Sequence, residues 1–271
     1  MRDASQCSRA IFLHGGPGFS AELERRRYAE RLPVHWWDQP RMASDAVRPF
    51  DALVEAAREQ LVGLSERRGA PVTVLASSFG TFIARELLAA IPERIESVTF
   101  SAGLLDIRLP FVRWGRWRAK RLADPALETA SQAAAVSNDP DVFWKLIGHI
   151  VAMPDFFDDY WGPESLPQRA AMRALAAEGP MFDLATFRAV MNDMLSPARP
   201  SPARMPSGDA PEEDACATME IPVRVLIGTH DLLAEKADVG AWRALFPSAT
   251  IDLVDCGHFP HLELPPEAWM P

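Results

Sequence analysis

The stretch Val72–Thr81 constrains the fold of this chain more than any other. A short apolar run, rich in β-branched residues, stops at a cluster of small residues around Ser78. Residues 79–90 then place apolar side chains at helical spacing, so we predict a sharp turn from a buried strand into a helix. Small residues lie two before and two after Ser78, Ala76 and Gly80. That spacing is typical of a turn that pushes a serine outward, although an ordinary strand-to-helix turn has the same pattern.

Length and charge narrow the class of protein. The chain has 271 residues, 48% of them hydrophobic, which suits either one α/β domain with an insertion or two small domains. A formal net charge of -9 argues against nucleic acid and anionic membranes as partners.

The polar start lacks the apolar run of a signal peptide, and no stretch approaches the roughly 18 apolar residues of a membrane span. The cysteines Cys7, Cys216 and Cys256 lack metal-ligand spacing. We therefore expect free thiols and a cytoplasmic protein.

Predicted strands and helices alternate along most of the chain. The strands are runs of β-branched or aromatic residues: Arg9–Leu13, Val34–Trp37, the run from Val72, Ile95–Ala102, Val223–Gly228 and Thr250–Val254. The helices have apolar residues at helical spacing or a charged surface pattern: 20–32, 51–68, 79–90 and 240–246. Ser20 is predicted to cap the first helix. This alternation implies a parallel sheet with helices on both faces.

The pattern changes at about Asp106. Residues 106–195 contain no predicted strand but several helical runs rich in aromatic residues, and residues 196–214 carry five prolines without apolar periodicity. We therefore divide the chain into a first core part, 1–105, a helical cap with a proline-rich loop, 106–220, and a second core part, 221–271.

Two polar loops supply partners for a serine nucleophile, which needs a base and a carboxylate to orient that base. Asp231 follows the strand 223–228, and His258 follows the strand 250–254. Loops that leave the carboxyl ends of parallel strands lie on one rim, so Ser78, Asp231 and His258 can converge there. Two alternatives stay open: His261 as the base, disfavoured because Gly257 precedes His258, and Asp255 as the carboxylate, disfavoured because it is expected to face solvent.

The segment His14–Gly18 follows the first predicted strand and is rich in glycine. Such a loop can point backbone N–H groups into a shared space, as an oxyanion hole requires, although a plain turn is the commoner meaning of a lone glycine-rich loop. It matches neither a P-loop nor a dinucleotide-binding motif. We expect His14 to brace this loop by hydrogen bonding.

These motifs, in this order, resemble the α/β-hydrolase superfamily, and within it the proline iminopeptidase-like group. The resemblance is carried by His14–Gly18 (HGGPG), Asp38–Arg41, Pro92–Ile95 and Gly257–Pro260, and it covers roughly residues 9–105 and 221–267. It implies an α/β-hydrolase fold with a mostly parallel sheet of about six strands, its first strands and last helix shortened, and a helical cap insertion. A partner chain covering the shortened parts would make a homodimer.

The sequence also departs from that group. The turn Ala76–Gly80 around Ser78, the nucleophile elbow of that group, has Ala76 and Ser77 where glycines are usual. Asp38–Arg41 lacks the glycine of the group's turn. Serine chemistry is unaffected, because alanine is small enough for the elbow, but aminopeptidase specificity is put in question.

The resemblance implies acyl transfer to Ser78, with His258 as general base and then acid, Asp231 orienting it, and the backbone N–H groups of Gly16 and Phe79 as the oxyanion hole. No cofactor or metal is implied. We expect hydrolysis of a small, partly apolar ester, amide or N-terminal peptide bond. The alternatives are a thioesterase or lactone-processing enzyme of a biosynthetic pathway and, third, a non-catalytic ligand receptor on the same fold.

Aromatic residues of the cap are expected to roof the site over Ser78, although each is more commonly a packing residue. The candidates for substrate contact are Trp114, Trp117, Trp144, Phe156, Phe157 and Trp161. The acids within 155–161 could hold a substrate ammonium group, and the basic segment Arg113–Arg121 could receive a carboxylate or the phosphate of an acyl carrier. Solvated helix faces explain both segments equally well.

Overall fold

The computed structural model describes residues 8–42, 46–153, 155–179, 182–196 and 220–271. Within these ranges six strands form one sheet in the order β2-β1-β3-β4-β5-β6, and every neighbouring pair is parallel. The strands are β1 (Ala10–Leu13), β2 (Val34–Trp37), β3 (Val72–Ser77), β4 (Ile95–Ser101), β5 (Val223–Gly228) and β6 (Thr250–Val254). The predicted parallel sheet of about six strands is thus confirmed.

Central strands are buried on both faces, as is usual when helices cover a parallel sheet. All four residues of β1 and all six of β3 are buried. Alternate residues of β1 enter different hydrophobic clusters: Ile11 and Leu13 belong to the larger one, and Ala10 and Phe12 to the smaller one on the opposite face. The two-residue period of a strand therefore places one set of side chains in each core.

Helices cover the sheet and fill the segment between β4 and β5. Their bounds are α1 (Glu22–Tyr28), α2 (Pro49–Arg68), α3 (Gly80–Ala90), α4 (Leu109–Leu122), α5 (Pro125–Val136), α6 (Pro140–Val151), α7 (Leu166–Glu178), α8 (Leu184–Leu195), α9 (Val239–Leu245) and α10 (Pro260–Glu263). Short 3-10 turns occupy Pro92–Arg94, Phe156–Tyr160, Lys236–Asp238 and Pro266–Ala268. None of the helices in the described ranges is long and apolar enough to cross a membrane.

The helix α2 shows why these segments are helical. Its buried residues Leu53, Ala57, Leu61 and Leu64 recur every three or four positions and form one apolar face. The helix ends at Gly69, which adopts the left-handed conformation with φ 67°.

The predicted cap of the first helix is wrong. Helix α1 starts at Glu22, and Ala21 occupies the capping position without a side-chain hydrogen bond. The backbone N–H of Ala21 instead donates to Asp38 Oδ1 at 2.8 Å, so a carboxylate from the loop after β2 replaces the expected serine cap.

The helices α4–α8 and the turn Phe156–Tyr160 between them are called the cap below. They lie within the predicted helical insertion, and this part of the chain has no strand among its described residues. The proline-rich loop 196–214, apart from Ser196, lies outside the described residues.

Candidate active site

Ser78 occupies the turn between β3 and α3. Its φ of 49° is left-handed, a conformation that few residues other than glycine adopt. The Ser78 N–H donates to the Ser101 carbonyl of β4 at 3.1 Å, which fixes the turn against the sheet. A Cβ on Gly80 would collide with the carbonyl of Leu13, so only glycine allows α3 to approach β1 this closely. The predicted elbow geometry is therefore present.

Three side chains from distant parts of the sequence form one hydrogen-bonded row at the carboxyl ends of the strands. Ser78 Oγ lies 2.8 Å from His258 Nε2, and His258 Nδ1 lies 2.8 Å from Asp231 Oδ2 and 3.0 Å from Asp231 Oδ1. The side chains of His258 and Asp231 are 2% and 0% exposed. Such a row can carry a proton away from the serine hydroxyl.

The surroundings of Asp231 decide the histidine tautomer. Its Oδ1 accepts hydrogen bonds from the backbone N–H groups of Leu233 at 2.8 Å and Ala234 at 3.1 Å. An ionised carboxylate with several donors around it accepts from His258 as well, so the imidazole carries its proton on Nδ1. The lone pair of Nε2 then faces the Ser78 hydroxyl, as a general base requires.

Glu263 holds the loop that carries His258, a role that the sequence interpretation missed. Its carboxylate accepts from the N–H groups of Gly257 at 3.0 Å, Gly162 at 2.7 Å and Phe259 at 3.2 Å, and from the Ser165 hydroxyl. Because two of these donors precede α7 of the cap, one carboxylate ties the cap to the histidine loop. An acid five residues after the histidine was the available sequence signal.

The cap also contacts His258 directly. The His258 N–H donates to the Tyr160 carbonyl at 2.6 Å, and the two rings meet edge to face with centroids 5.3 Å apart. Burial raises the pKa of the Tyr160 phenol, so this ring stays neutral beside the histidine.

His14 braces the glycine-rich loop, as the sequence predicts. Its Nδ1 donates to the Gly15 carbonyl at 2.8 Å, and its Nε2 accepts from the Gln39 N–H at 3.1 Å. The Gln39 side-chain NH2 group donates to the His14 carbonyl at 3.0 Å. Burial lowers the pKa of His14, which keeps the imidazole neutral and able to accept.

The loop places backbone beside the serine. A Cβ added to Gly15 would lie 3.1 Å from Ser78 Cβ, and Gly16 has a φ of 55°, where its own Cβ would meet the Phe19 ring at 2.5 Å. Neither the Gly16 N–H nor the Phe79 N–H donates to another group among the described residues. Both candidate oxyanion donors are therefore available to a ligand.

The alternative base and carboxylate are hydrogen-bonded to other partners. His261 Nε2 is 3.0 Å from Glu24 Oε1, and its Nδ1 is 3.4 Å from Ser101 Oγ. The side chain of Asp255 is 89% exposed and pairs with His230 at 2.9 Å. Neither group makes a hydrogen bond to Ser78 within the described ranges.

A cavity of about 490 Å³ opens over Ser78 and His258. Four predicted contact residues line it: Trp114, Trp144, Phe156 and Phe157. Two others do not. Trp117 is 40% exposed, with the Arg121 guanidinium 5.1 Å from its ring centroid, and the buried Trp161 packs on Phe259 with ring centroids 4.7 Å apart.

Other lining residues were not predicted. Aromatic side chains of this group come from the residue after the glycine-rich loop, from α4, and from α8 and the residues before it: Phe19, Phe111, Phe182 and Phe187. Their aromatic character was visible, but helical spacing does not tell which face of a cap helix turns toward the cavity. Glu24 and Tyr160 also line the cavity.

Some charged residues of the cap pair with one another. Arg118, 2% exposed, lies 2.6 Å from Asp155 and 2.8 Å from Asp159, and Trp114 Nε1 donates to Asp159 at 2.9 Å. The hydrogen bond from Arg118 lowers the pKa of Asp155. The carboxylates of Asp155 and Asp159 are thus engaged within the cap, which weakens their case as an ammonium site.

The basic segment is likewise partly used inside the molecule, since Arg113 pairs with Asp238 at 2.8 Å. Across the described ranges, no group of three or more His, Cys, Asp or Glu side chains could hold a metal ion.

Comparisons with known proteins agree on the fold. A family model described as "Alpha/beta hydrolase family" matches residues 10–270. A proline iminopeptidase-related protein from Thermus thermophilus superposes with a TM-score of 0.65 at 20% identity, over 97% of this chain and 86% of that one.

Two further solved structures are similar. A thermophilic esterase from Thermogutta terrifontis has a TM-score of 0.56 at 16% identity, covering 96% of this chain and 85% of that one. The 2-hydroxy-6-oxo-6-phenylhexa-2,4-dienoate hydrolase from Rhodococcus sp. strain RHA1 has a TM-score of 0.54 at 18% identity, covering 96% and 86%. None of the curated proteins compared with the chain matches it.

Proposed function

The chain belongs to the alpha/beta hydrolase family, and we propose that it is a serine hydrolase acting through Ser78, His258 and Asp231. The observation that carries this proposal is the 2.8 Å contact between Ser78 Oγ and His258 Nε2 at the base of the cavity. Family membership and the hydrolase neighbours support hydrolase activity.

In the proposed reaction, His258 Nε2 takes the Ser78 proton as Oγ attacks the substrate carbonyl carbon. The carbonyl oxygen becomes an oxyanion, which accepts hydrogen bonds from the N–H groups of Gly16 and Phe79. The bond to the leaving group then breaks, and His258 returns the proton to that group. A water molecule hydrolyses the acyl-enzyme through the same steps, and Asp231 stabilises the imidazolium each time it forms.

The cavity lining indicates the substrate class. Most of the side chains around Ser78 are aromatic or aliphatic, which favours a small ester or amide with an apolar portion. The engaged acids of the cap offer little to an N-terminal ammonium group, so we place esters and neutral amides before N-terminal peptides.

A fluorophosphonate probe tests the nucleophile, because it reacts with an activated serine and not with an ordinary one. We expect stoichiometric labelling of the folded protein at Ser78, and none in Ser78→Ala. An unlabelled wild type that still binds apolar ligands would instead indicate the receptor alternative.

A substrate panel tests the subclass. We expect p-nitrophenyl butyrate to be hydrolysed faster than alanine β-naphthylamide or a butyryl thioester. A preference for the thioester would favour the thioesterase alternative, for which Arg116 and Lys120 are the basic residues of α4 left without an ion pair among the described residues.

A further inference from the structure

A second carboxylate–histidine pair lines the same cavity and has no part in the proposed reaction. Glu24 on α1 and His261 on α10 are joined by the 3.0 Å contact between Oε1 and Nε2. Their side chains are 10% and 2% exposed. Helix α1 begins at Glu22, four positions after the end of the glycine-rich loop, and both Glu24 and that loop line the cavity.

The other carboxylate oxygen of Glu24 is unpartnered. Oε2 accepts no hydrogen bond from any described residue, and no lysine or arginine in the described ranges pairs with Glu24. This oxygen is not fully buried, and Glu24 lines the cavity over Ser78. Oε2 is therefore available to a donor on a molecule that occupies the cavity.

Glu24 also stands apart from the rest of the cavity wall. It is the one carboxylate among the described residues that line the cavity, and the one guanidinium there, Arg188, lies over the Trp144 ring at 5.8 Å. The surroundings of Ser78 thus offer apolar surface, the oxyanion donors and a single strong acceptor.

We propose that Glu24 and His261 form a polar subsite that selects substrates carrying an N–H or O–H donor on the side of the scissile carbonyl facing α1. The substrate N–H or O–H donates a hydrogen bond to Glu24 Oε2. The contact between His261 Nε2 and Oε1 fixes the orientation of the carboxylate. This subsite rests on the proposed function and adds a substrate class to it: donor-bearing esters or amides, neutral or cationic.

Matched substrates test the subsite in the wild type. One pair carries the donor on the acyl half: 2-naphthyl N-acetylglycinate and its N-methyl analogue, 2-naphthyl N-acetylsarcosinate. The other pair carries it on the leaving group: 4-acetamidophenyl butyrate and its N-methyl analogue. In one of the pairs we expect kcat/KM for the N–H ester to exceed that of the N-methyl ester by about tenfold or more, as a hydrogen bond to a charged acceptor allows.

Variants assign that preference to Glu24. Glu24→Met removes the acceptor at similar volume and should reduce the N–H to N-methyl ratio about tenfold. Glu24→Gln keeps an acceptor but loses the charge, so it separates two classes of donor: it should weaken hydrolysis of 2-naphthyl glycinate, whose donor is an ammonium group, far more than that of N-acetylglycinate. The control Glu22→Gln, on the same helix, should leave every ratio within about twofold.

Two results would overturn the subsite. One is a wild type with equal kcat/KM for both members of each pair, which needs no variant to fold. The other is a ratio that stays the same in folded Glu24→Met. In either case, fluorophosphonate labelling of Ser78 and hydrolysis of p-nitrophenyl butyrate would leave the proposed function standing. Loss of both in the wild type would remove the proposed function and the subsite together.

Discussion

Two Ser–His–carboxylate rows lie among the residues that the structure describes, and their histidines are three residues apart. In the first, Ser78 Oγ lies 2.8 Å from His258, which contacts Asp231. In the second, Ser101 Oγ lies 3.4 Å from His261, which contacts Glu24. The same three kinds of group are therefore present twice, so residue type alone does not make a nucleophile.

The backbone around each serine makes the difference. Ser78 sits at a left-handed turn beside two N–H groups that have no acceptor among the described residues. Ser101 lies within β4, and its carbonyl accepts the Ser78 N–H at 3.1 Å. The N–H of Phe79, the residue after Ser78, has no acceptor among the described residues, whereas the N–H of Ala102, the residue after Ser101, already donates to the Leu226 carbonyl at 2.9 Å.

The carboxylates differ in the opposite way. Asp231 accepts hydrogen bonds from two backbone N–H groups besides His258, so both of its oxygens have partners within the protein. Glu24 keeps one oxygen without a partner in the described ranges. We infer that the first row does chemistry and the second binds.

The largest expected effect separates the two serines. Ser78→Ala should lower kcat for p-nitrophenyl butyrate by roughly a millionfold, because members of a triad act as a unit. Ser101→Ala should change it by no more than about threefold. Initial-rate assays measure both, and comparable losses in the two variants would contradict the assignment of the rows.

The next effect separates two candidate carboxylates. Asp231→Asn should lower kcat about ten-thousandfold, since the amide no longer holds the required tautomer. Asp255→Asn, at an exposed side chain, should stay within about twofold. A strong loss in Asp255→Asn together with a mild one in Asp231→Asn would reverse their roles.

Glu263→Gln should have an intermediate effect on kcat. The side-chain NH2 group of glutamine would face backbone N–H groups that now donate to the Glu263 carboxylate. We expect a tenfold to hundredfold lower kcat, and a free energy of unfolding lower by about 1–3 kcal/mol. Urea unfolding and kcat measure these effects. The control is Glu267→Gln, at an exposed acid of the same segment, which should change neither.

The smallest effect concerns His14, the third histidine near Ser78. Its pKa in the folded state is below the ordinary 6.5, so protons bind more readily to the unfolded chain. Stability should therefore fall as pH decreases below about 6.5, with a slope of at most about 1.4 kcal/mol per pH unit from this group.

Urea unfolding between pH 7.5 and 5 measures this effect in wild type and His14→Asn. The wild type should lose its stability advantage over the variant toward pH 5, because only the wild type must keep a buried imidazole neutral. A difference that is constant across this range would contradict the role of His14.

Much of this structure was predictable because it depends on local patterns. Three strands have the predicted bounds: Val34–Trp37, Val223–Gly228 and Thr250–Val254. Their bounds were predictable because a run of β-branched or aromatic residues and the turn that ends it are formed by residues adjacent in sequence. The approach of Ser78, Asp231 and His258 follows from one topological rule, that parallel strands end on the same rim.

Other features were not predictable because they depend on which helix face meets which neighbour. The sequence did not show that Arg118 would be buried against Asp155 and Asp159, nor that Trp117 and Trp161 would lie outside the cavity. Helical spacing identifies the apolar face of a helix, but it does not identify the element that packs against that face. Likewise Asp38, distant in sequence, replaced Ser20 at the start of α1.

The sequence by itself determined the sheet, the serine turn and the row of residues around it, because each rests on short-range patterns and chain order. Only the tertiary structure decided the shape of the cavity, the hold of Glu263 on the histidine loop, and the meeting of Glu24 with His261 across 237 residues. The physical reason is that burial and hydrogen-bond partners are properties of packed surfaces, and packing joins residues that the chain keeps far apart.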